Sequence, residues 1–176
     1  MTPETRPEKY PRLRFPLRLL ASGLFVSYLP VYLTGGKKFS GAGLLGSILA
    51  VALLPLLPAS GEAYTVFLVP FCIFSVWVAD SVRFENGVHD DPRIVIDEIA
   101  GMWTAAAFLP RTGWIMLAAL ALFRLLDSAK PFGIRRAENL PGGLGVVMDD
   151  LVCGVAANLL VHLGLLLGSN NFRINI

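Results

Sequence analysis

Apolar runs separated by short charged stretches set the frame of this chain. Gly41–Pro58 and Ala63–Ala79 contain no charged residue, and Leu151–Gly168 contains no Asp, Glu, Lys or Arg. Between them, Ile94–Arg124 is a long apolar stretch broken by Pro110-Arg111-Thr112-Gly113, a pattern that predicts a helical hairpin. Runs of 17 or 18 apolar residues are candidates to cross an apolar layer of about 30 Å at about 1.5 Å per residue. The hairpin arm Ile94–Leu109 is shorter, about 24 Å as a helix, and it includes Asp97 and Glu98. It either spans a thinned region or sits partly at the interface. The pattern predicts an all-α, multi-pass membrane helical bundle containing a short hairpin.

Leu19–Leu33 is uncharged but punctuated by Ser22, Gly23, Ser27 and Pro30. If it re-enters without crossing, and the five later segments span from a cytoplasmic N-terminus, the basic residues sort by side. The N-terminal arm, Lys37, Lys38, Arg83, Arg93, Lys130, Arg135 and Arg136 then lie inside, with Arg111 and Arg173 outside. If Leu19–Leu33 crossed, the arm and Lys37–Lys38 would fall on opposite sides. The bias of Lys and Arg towards the cytoplasm favours an interfacial or re-entrant segment.

Composition agrees with this frame. The 176 residues make one domain by length; they are 55% hydrophobic and 16% charged, against about 25% charged in soluble domains. Residues 1–18 form a basic arm broken by Pro3, Pro7, Pro11 and Pro16, which suits a membrane surface better than a cleaved signal. No nucleic-acid partner is expected. Cys72 and Cys153 lie in apolar runs without metal spacing and read as buried small hydrophobes.

Given that topology, the acidic residues between the spans gather on one face, with only Glu62 in the outer loop apart. Asp80 ends the second span, His89, Asp90 and Asp91 follow it, and Asp97 and Glu98 begin the third segment. Asp127 ends the fourth, and Asp149 and Asp150 begin the fifth. Plain structural roles exist: Arg124–Asp127 and Asp127–Lys130 are i,i+3 pairs, Asp149 could cap a helix, and Asp150 could complement its dipole. A charge at the centre of a membrane helix, however, costs about 2.5–3.5 kcal/mol against about 0.2–0.5 for such a pair. Carboxylates near the membrane are therefore functional candidates.

Several carboxylates without cysteine ligands suit a hard cation such as Mg²⁺, completed by water and substrate phosphate. Arg124, Lys130, Arg135 and Arg136 would neutralise phosphate oxygens, although Arg135 and Arg136 equally suit attraction to anionic lipid. Asp97 and Glu98 point about 100° apart as consecutive helix residues, so different jobs are expected of them. Gly101 is expected to leave room for a headgroup. His162 lies away from the cluster and reads as structural.

Three blocks, GVHDDPRIVIDEIAGMW (Gly87–Trp103), FRLLDSAKPFGI (Phe123–Ile134) and GGLGVVMDDLVCGV (Gly142–Val155), resemble the phosphatidylglycerophosphatase A family. The resemblance implies a bacterial inner-membrane enzyme that removes the phosphate monoester of phosphatidylglycerophosphate with Mg²⁺, its active face cytoplasmic. It implies Asp97, Glu98, Asp127, Asp149 and Asp150 as metal ligands and Arg124 and Lys130 at the phosphate. His89 is either a proton donor to the leaving alcohol or a loop contact, and attack by water or by a carboxylate stays open. The family's Pro-Gly-Thr and Gly-Ser turn corresponds to Ala42–Ser47, where the Pro and Thr are missing, and Gly35–Ser40 is an apparent insertion. Lys37 and Lys38 are candidate phosphate contacts there, or lipid-surface contacts. The rival readings are a non-catalytic scaffold and a cation-binding or transport protein, which would need charges at mid-depth in several spans.

Overall fold

The computed structural model describes residues 10–35, 41–82, 91–130 and 140–173. These residues form helices and turns, with no strand among them. The helices are α1 (Arg14–Ala21), α2 (Tyr28–Leu33), α3 (Ala42–Leu53), α4 (Gly61–Ser81), α5 (Ile96–Ala105), α6 (Gly113–Ala129) and α7 (Gly143–Arg173).

Leu19–Leu33 is split between α1 and α2, both far too short to cross a membrane. The break is a left-handed turn in which Gly23, Leu24 and Phe25 all have φ near +60°. The Ser22 hydroxyl accepts from the Phe25 N–H, and the Ser27 hydroxyl donates to the Arg93 carbonyl at 2.8 Å. The Val95 N–H donates to the Ala21 carbonyl at 2.7 Å, so the end of α1 is fixed to the start of α5.

Two segments differ from the sequence expectation in length. The Gly41–Pro58 run is helical only to Leu53, followed by a 3₁₀ turn over Leu54–Leu56. Pro55 is the cause: it has no N–H, and its ring crowds the carbonyl four residues back. The first hairpin arm is helical over only ten residues. Among the described residues, α4 and α7 are long and apolar enough to cross a membrane. Val66, Val69, Ile73 and Trp77 of α4, and Leu159, Leu163, Leu166 and Leu167 of α7, are exposed. A face of that kind suits lipid better than water.

The short helix α5 is the centre of the bundle, packed against α7, α3, α4 and α6. Eight of its ten residues are buried, so the carbonyls at its C-terminal end have no water to meet and need protein donors. Other helices supply them. The Tyr64 hydroxyl donates to the Trp103 carbonyl at 2.7 Å, and Asn158 Nδ2 donates to the Ala105 and Ala107 carbonyls at 2.9 and 2.7 Å. Trp103 Nε1 in turn donates to the Ala50 carbonyl on α3 at 2.9 Å. Tyr64→Phe strands a buried carbonyl and is expected to cost about 1.5 kcal/mol. Thermal unfolding in detergent should register this as a Tm lower by about 4 °C.

At the end of the bundle near Leu54, the Arg111 guanidinium donates to the Leu54, Leu57 and Pro58 carbonyls and lies over the Tyr64 ring. These carbonyls lie in the turn that follows α3. α5 and α7 meet at two glycines. A Cβ on Gly154 would overlap the Gly101 carbonyl oxygen, and one on Gly101 would lie 2.7 Å from the Phe123 ring and 2.8 Å from the Asp150 carbonyl.

Candidate active site

At the other end of α5 the acidic side chains converge. Asp97 and Glu98 occupy the first turn of α5, one residue after the segment that Ala21 and Ser27 hold in place. Asp149 and Asp150 lie on α7 six and seven residues past its start. Asp127 is two residues before the end of α6.

Carboxylate oxygens of Asp97, Glu98 and Asp150 all lie within 4.8 Å of one another, and so do those of Asp127, Asp149 and Asp150. Asp97, Asp149 and Asp150 are buried, with 8%, 5% and 4% of their surface exposed. Among the described residues, Asp97 Oδ1, Glu98 Oε2 and Asp149 Oδ1 are buried without a hydrogen-bond partner. A carboxylate oxygen left this way carries a desolvation cost that nothing among the described residues offsets. The donor set is all oxygen and all anionic, which fits a hard divalent cation.

Two basic side chains stand beside the cluster. Arg124 Nη1 lies 3.0 Å from Asp127 Oδ2, 4.0 Å from Glu98 Oε1 and 3.5 Å from the Ser47 hydroxyl. Its guanidinium also sits 5.9 Å from the centre of the buried Phe123 ring. Lys130 closes α6 in a left-handed conformation (φ 42°), and its ammonium is ion-paired with Asp149 Oδ2. The α3 backbone seals this side: a Cβ on Gly43 would overlap Glu98 Oε1 and lie 3.0 Å from both terminal nitrogens of Arg124.

Several expectations change here. Asp149 and Asp150 are not at a helix start, because α7 begins at Gly143 and both lie in its second turn. The acceptor at that start is Asp80, whose Oδ1 takes the Gly143 N–H at 3.3 Å. Asp97 and Glu98, expected to point to different tasks, reach the same group of oxygens. The longer Glu98 side chain makes up for the 100° rotation between them. Gly101 leaves no room for a headgroup, since the Phe123 ring and α7 fill that space. Lys130 pairs across helices with Asp149. Asp91, buried, is held by both side-chain and backbone donors of Arg93. His162 bonds the Asn158 carbonyl one turn back, away from the cluster. His89, Asp90, Lys37, Lys38, Arg135 and Arg136 lie outside the described residues.

Sequence reasoning missed the exclusion of side chains at Gly43 and the anchoring role of Asp80. The Gly-x-x-Gly-Ser spacing of residues 43–47 was the available signal for the first.

Comparison with known proteins converges on one family. The profile of phosphatidylglycerophosphatase A matches residues 19–165. A protein of Bacteroides thetaiotaomicron, provisionally named a phosphatidylinositol-3-phosphatase, is 39% identical, covering 77% of this chain and 92% of the relative. Phosphatidylglycerophosphatase A of Haemophilus influenzae is 34% identical over 90% of this chain and 94% of its own. That of Escherichia coli is 35% identical over 69% and 73%. No solved structure matches. With the family profile spanning most of its length and the acidic cluster falling inside the matched region, the chain belongs to the phosphatidylglycerophosphatase A family.

Proposed function

We propose that this protein hydrolyses the phosphate monoester of phosphatidylglycerophosphate, giving phosphatidylglycerol and phosphate, with Mg²⁺ as cofactor. The observation that carries the reading is the set of buried, partnerless carboxylate oxygens on Asp97, Glu98 and Asp149, placed beside Arg124 and Lys130. Asp97, Glu98, Asp127, Asp149 and Asp150 would hold the cation. When bound, Mg²⁺ supplies Lewis-acid polarisation of a phosphoryl oxygen and neutralises charge on it.

The chain's own side chains account for the rest. Arg124 is held at the edge of the cluster by Asp127, and its planar fork can take two phosphoryl oxygens. Lys130 supplies a point charge next to Asp149. In the overall reaction one water is consumed, the bond between phosphorus and the headgroup oxygen breaks, and the glycerol alcohol leaves with a proton. The cluster lies at the start of α5, just after Arg93 and beside Arg124 and Lys130, whereas Arg111 marks the far end. That asymmetry supports a bacterial inner-membrane protein with its site at the cytoplasmic face. A phosphorylated lipid could then reach the cluster with its acyl chains still in the bilayer.

The test is phosphate release by the full chain in detergent micelles containing phosphatidylglycerophosphate. Release with Mg²⁺ that stops on adding EDTA is expected, and no release in Mg²⁺ rejects the reading. The 39% identical relative supports a second substrate, phosphatidylinositol 3-phosphate, also a phosphomonoester on a polyol headgroup. Running both lipids in parallel ranks them by kcat/KM.

Gly43→Ala tests the crowding at α3. The new methyl meets the flexible ends of Glu98 and Arg124 rather than backbone, so those ends shift and the fold survives. Activity is expected to fall about 10- to 100-fold, as for catalytic groups misplaced by roughly 1 Å. Circular dichroism and Tm should stay close to wild type.

A further inference from the structure

We propose that the acidic cluster is built for two divalent cations at once, with Asp150 shared between them. This rests on the metal-dependent reading above and goes beyond it in number and division of ligands. The five carboxylates form two overlapping groups rather than one ring: Asp97, Glu98 and Asp150 in the first, Asp127, Asp149 and Asp150 in the second. Asp150 is the member common to both. Each group also has its own buried oxygen without a partner among the described residues, Asp97 Oδ1 and Glu98 Oε2 in the first and Asp149 Oδ1 in the second. A single ion in either group would leave the other group's orphan as it was.

The basic side chains do not remove the need for a second ion. Lys130 neutralises Asp149 through Oδ2 and leaves Oδ1 without a partner. Arg124 meets Asp127 and, more distantly, Glu98, so it contributes one positive charge across both groups. Charge balance then separates one ion from two. With all five carboxylates ionised, as ligation of a cation requires, they exceed Arg124 and Lys130 by three negative charges among the described residues. One divalent ion leaves the site net negative, and a phosphomonoester dianion would be repelled from it. Two ions make it net positive before substrate arrives. Paired ions about 3.5–4 Å apart are an established arrangement for displacement at phosphorus, and a shared carboxylate is the simplest way to hold them at that spacing.

The experiment uses Mn²⁺ as the probe, on the full chain in detergent after EDTA treatment and dialysis. Equilibrium binding should saturate at two Mn²⁺ per chain, and the electron paramagnetic resonance spectrum should show a magnetically coupled pair. Asp149→Asn should reduce the stoichiometry to one and convert the signal to the six-line pattern of isolated Mn²⁺. Asp97→Asn should do the same from the other side, and Asp150→Asn should abolish the coupling and weaken binding in both groups. Saturation of the wild-type chain at one uncoupled Mn²⁺ overturns the proposal without reference to any variant. So does an Asp149→Asn chain that still binds a coupled pair. Phosphate release measured on the same preparation keeps the two claims apart. A coupled pair without lipid hydrolysis upholds the two-ion site and rejects the proposed activity; hydrolysis with one ion does the reverse.

Discussion

Asp97→Asn and Asp127→Asn each lower Mg²⁺-dependent phosphate release about 10³-fold, while the protein still inserts and folds. The size follows from the charge each residue contributes. Losing a ligand carboxylate removes several kcal/mol of charge stabilisation, and about 4 kcal/mol is a factor of about 10³ in rate. Asn keeps the shape of Asp, so packing changes little. The two variants differ in their metal-free stability, which makes the prediction sharper. Asp97 is buried, and its Oδ1 has no partner among the described residues. Neutralising it relieves a desolvation cost, so the Tm of Asp97→Asn without metal should equal or exceed wild type. Asp127 is ion-paired with Arg124 at 3.0 Å, and its loss should lower Tm slightly. Full activity in both variants would sink the site assignment. A large drop in metal-free Tm for Asp97→Asn would instead mark that residue as structural.

Gly154→Ala is expected to destabilise the protein by about 3 kcal/mol and to reduce activity with it. The added methyl would overlap the Gly101 carbonyl oxygen and lie 3.1 Å from Thr104 Cβ. Neither neighbour has a rotamer that moves it aside, so α5 and α7 must separate. Gly164→Ala on the same helix is the control, because nothing lies within 4 Å of its Cβ. Gly164→Ala should leave Tm unchanged or raise it by the helix propensity of Ala, worth up to about 1 kcal/mol. For Gly154→Ala, a Tm drop of about 9 °C is the expected reading. Equal Tm values for the two variants would show that the contact between α5 and α7 is not tight.

The clustering of the carboxylates was easier to read from the sequence than the architecture around it. Asp97, Glu98, Asp127, Asp149 and Asp150 stand out because ionisable side chains are costly in an apolar chain, and that cost is visible in one dimension. Helix limits were less legible. Hydropathy starts the last span at Leu151, yet α7 begins eight residues earlier and carries Asp149 and Asp150 into the protein interior. A hydropathy window reads those carboxylates as an end of the helix, whereas their burial among other helices lets it continue. The extent of α5 was hidden for a related reason, since its last carbonyls are satisfied by Tyr64 and Asn158, 39 and 53 residues away in sequence. Gly101 misled because an absent side chain looks the same in sequence whether a ligand or a helix occupies the space.

The contact between Gly101 and Gly154 also bears on the size of ion that the proposed site would suit. Asp97 lies four residues before Gly101 on α5, and Asp150 lies four residues before Gly154 on α7. Each carboxylate is thus one helical turn from the point where the two backbones touch. The gap between the two acids is set by a contact without side chains to adjust, so the helices act as a fixed calliper. Oxygens close around Mg²⁺ at about 2.0–2.1 Å but around Ca²⁺ at about 2.3–2.6 Å. Holding the larger ion equally well would mean levering the two helices apart. Under the proposed Mg²⁺ site, preference for the smaller ion would thus be governed by a pair of glycines outside the carboxylate cluster.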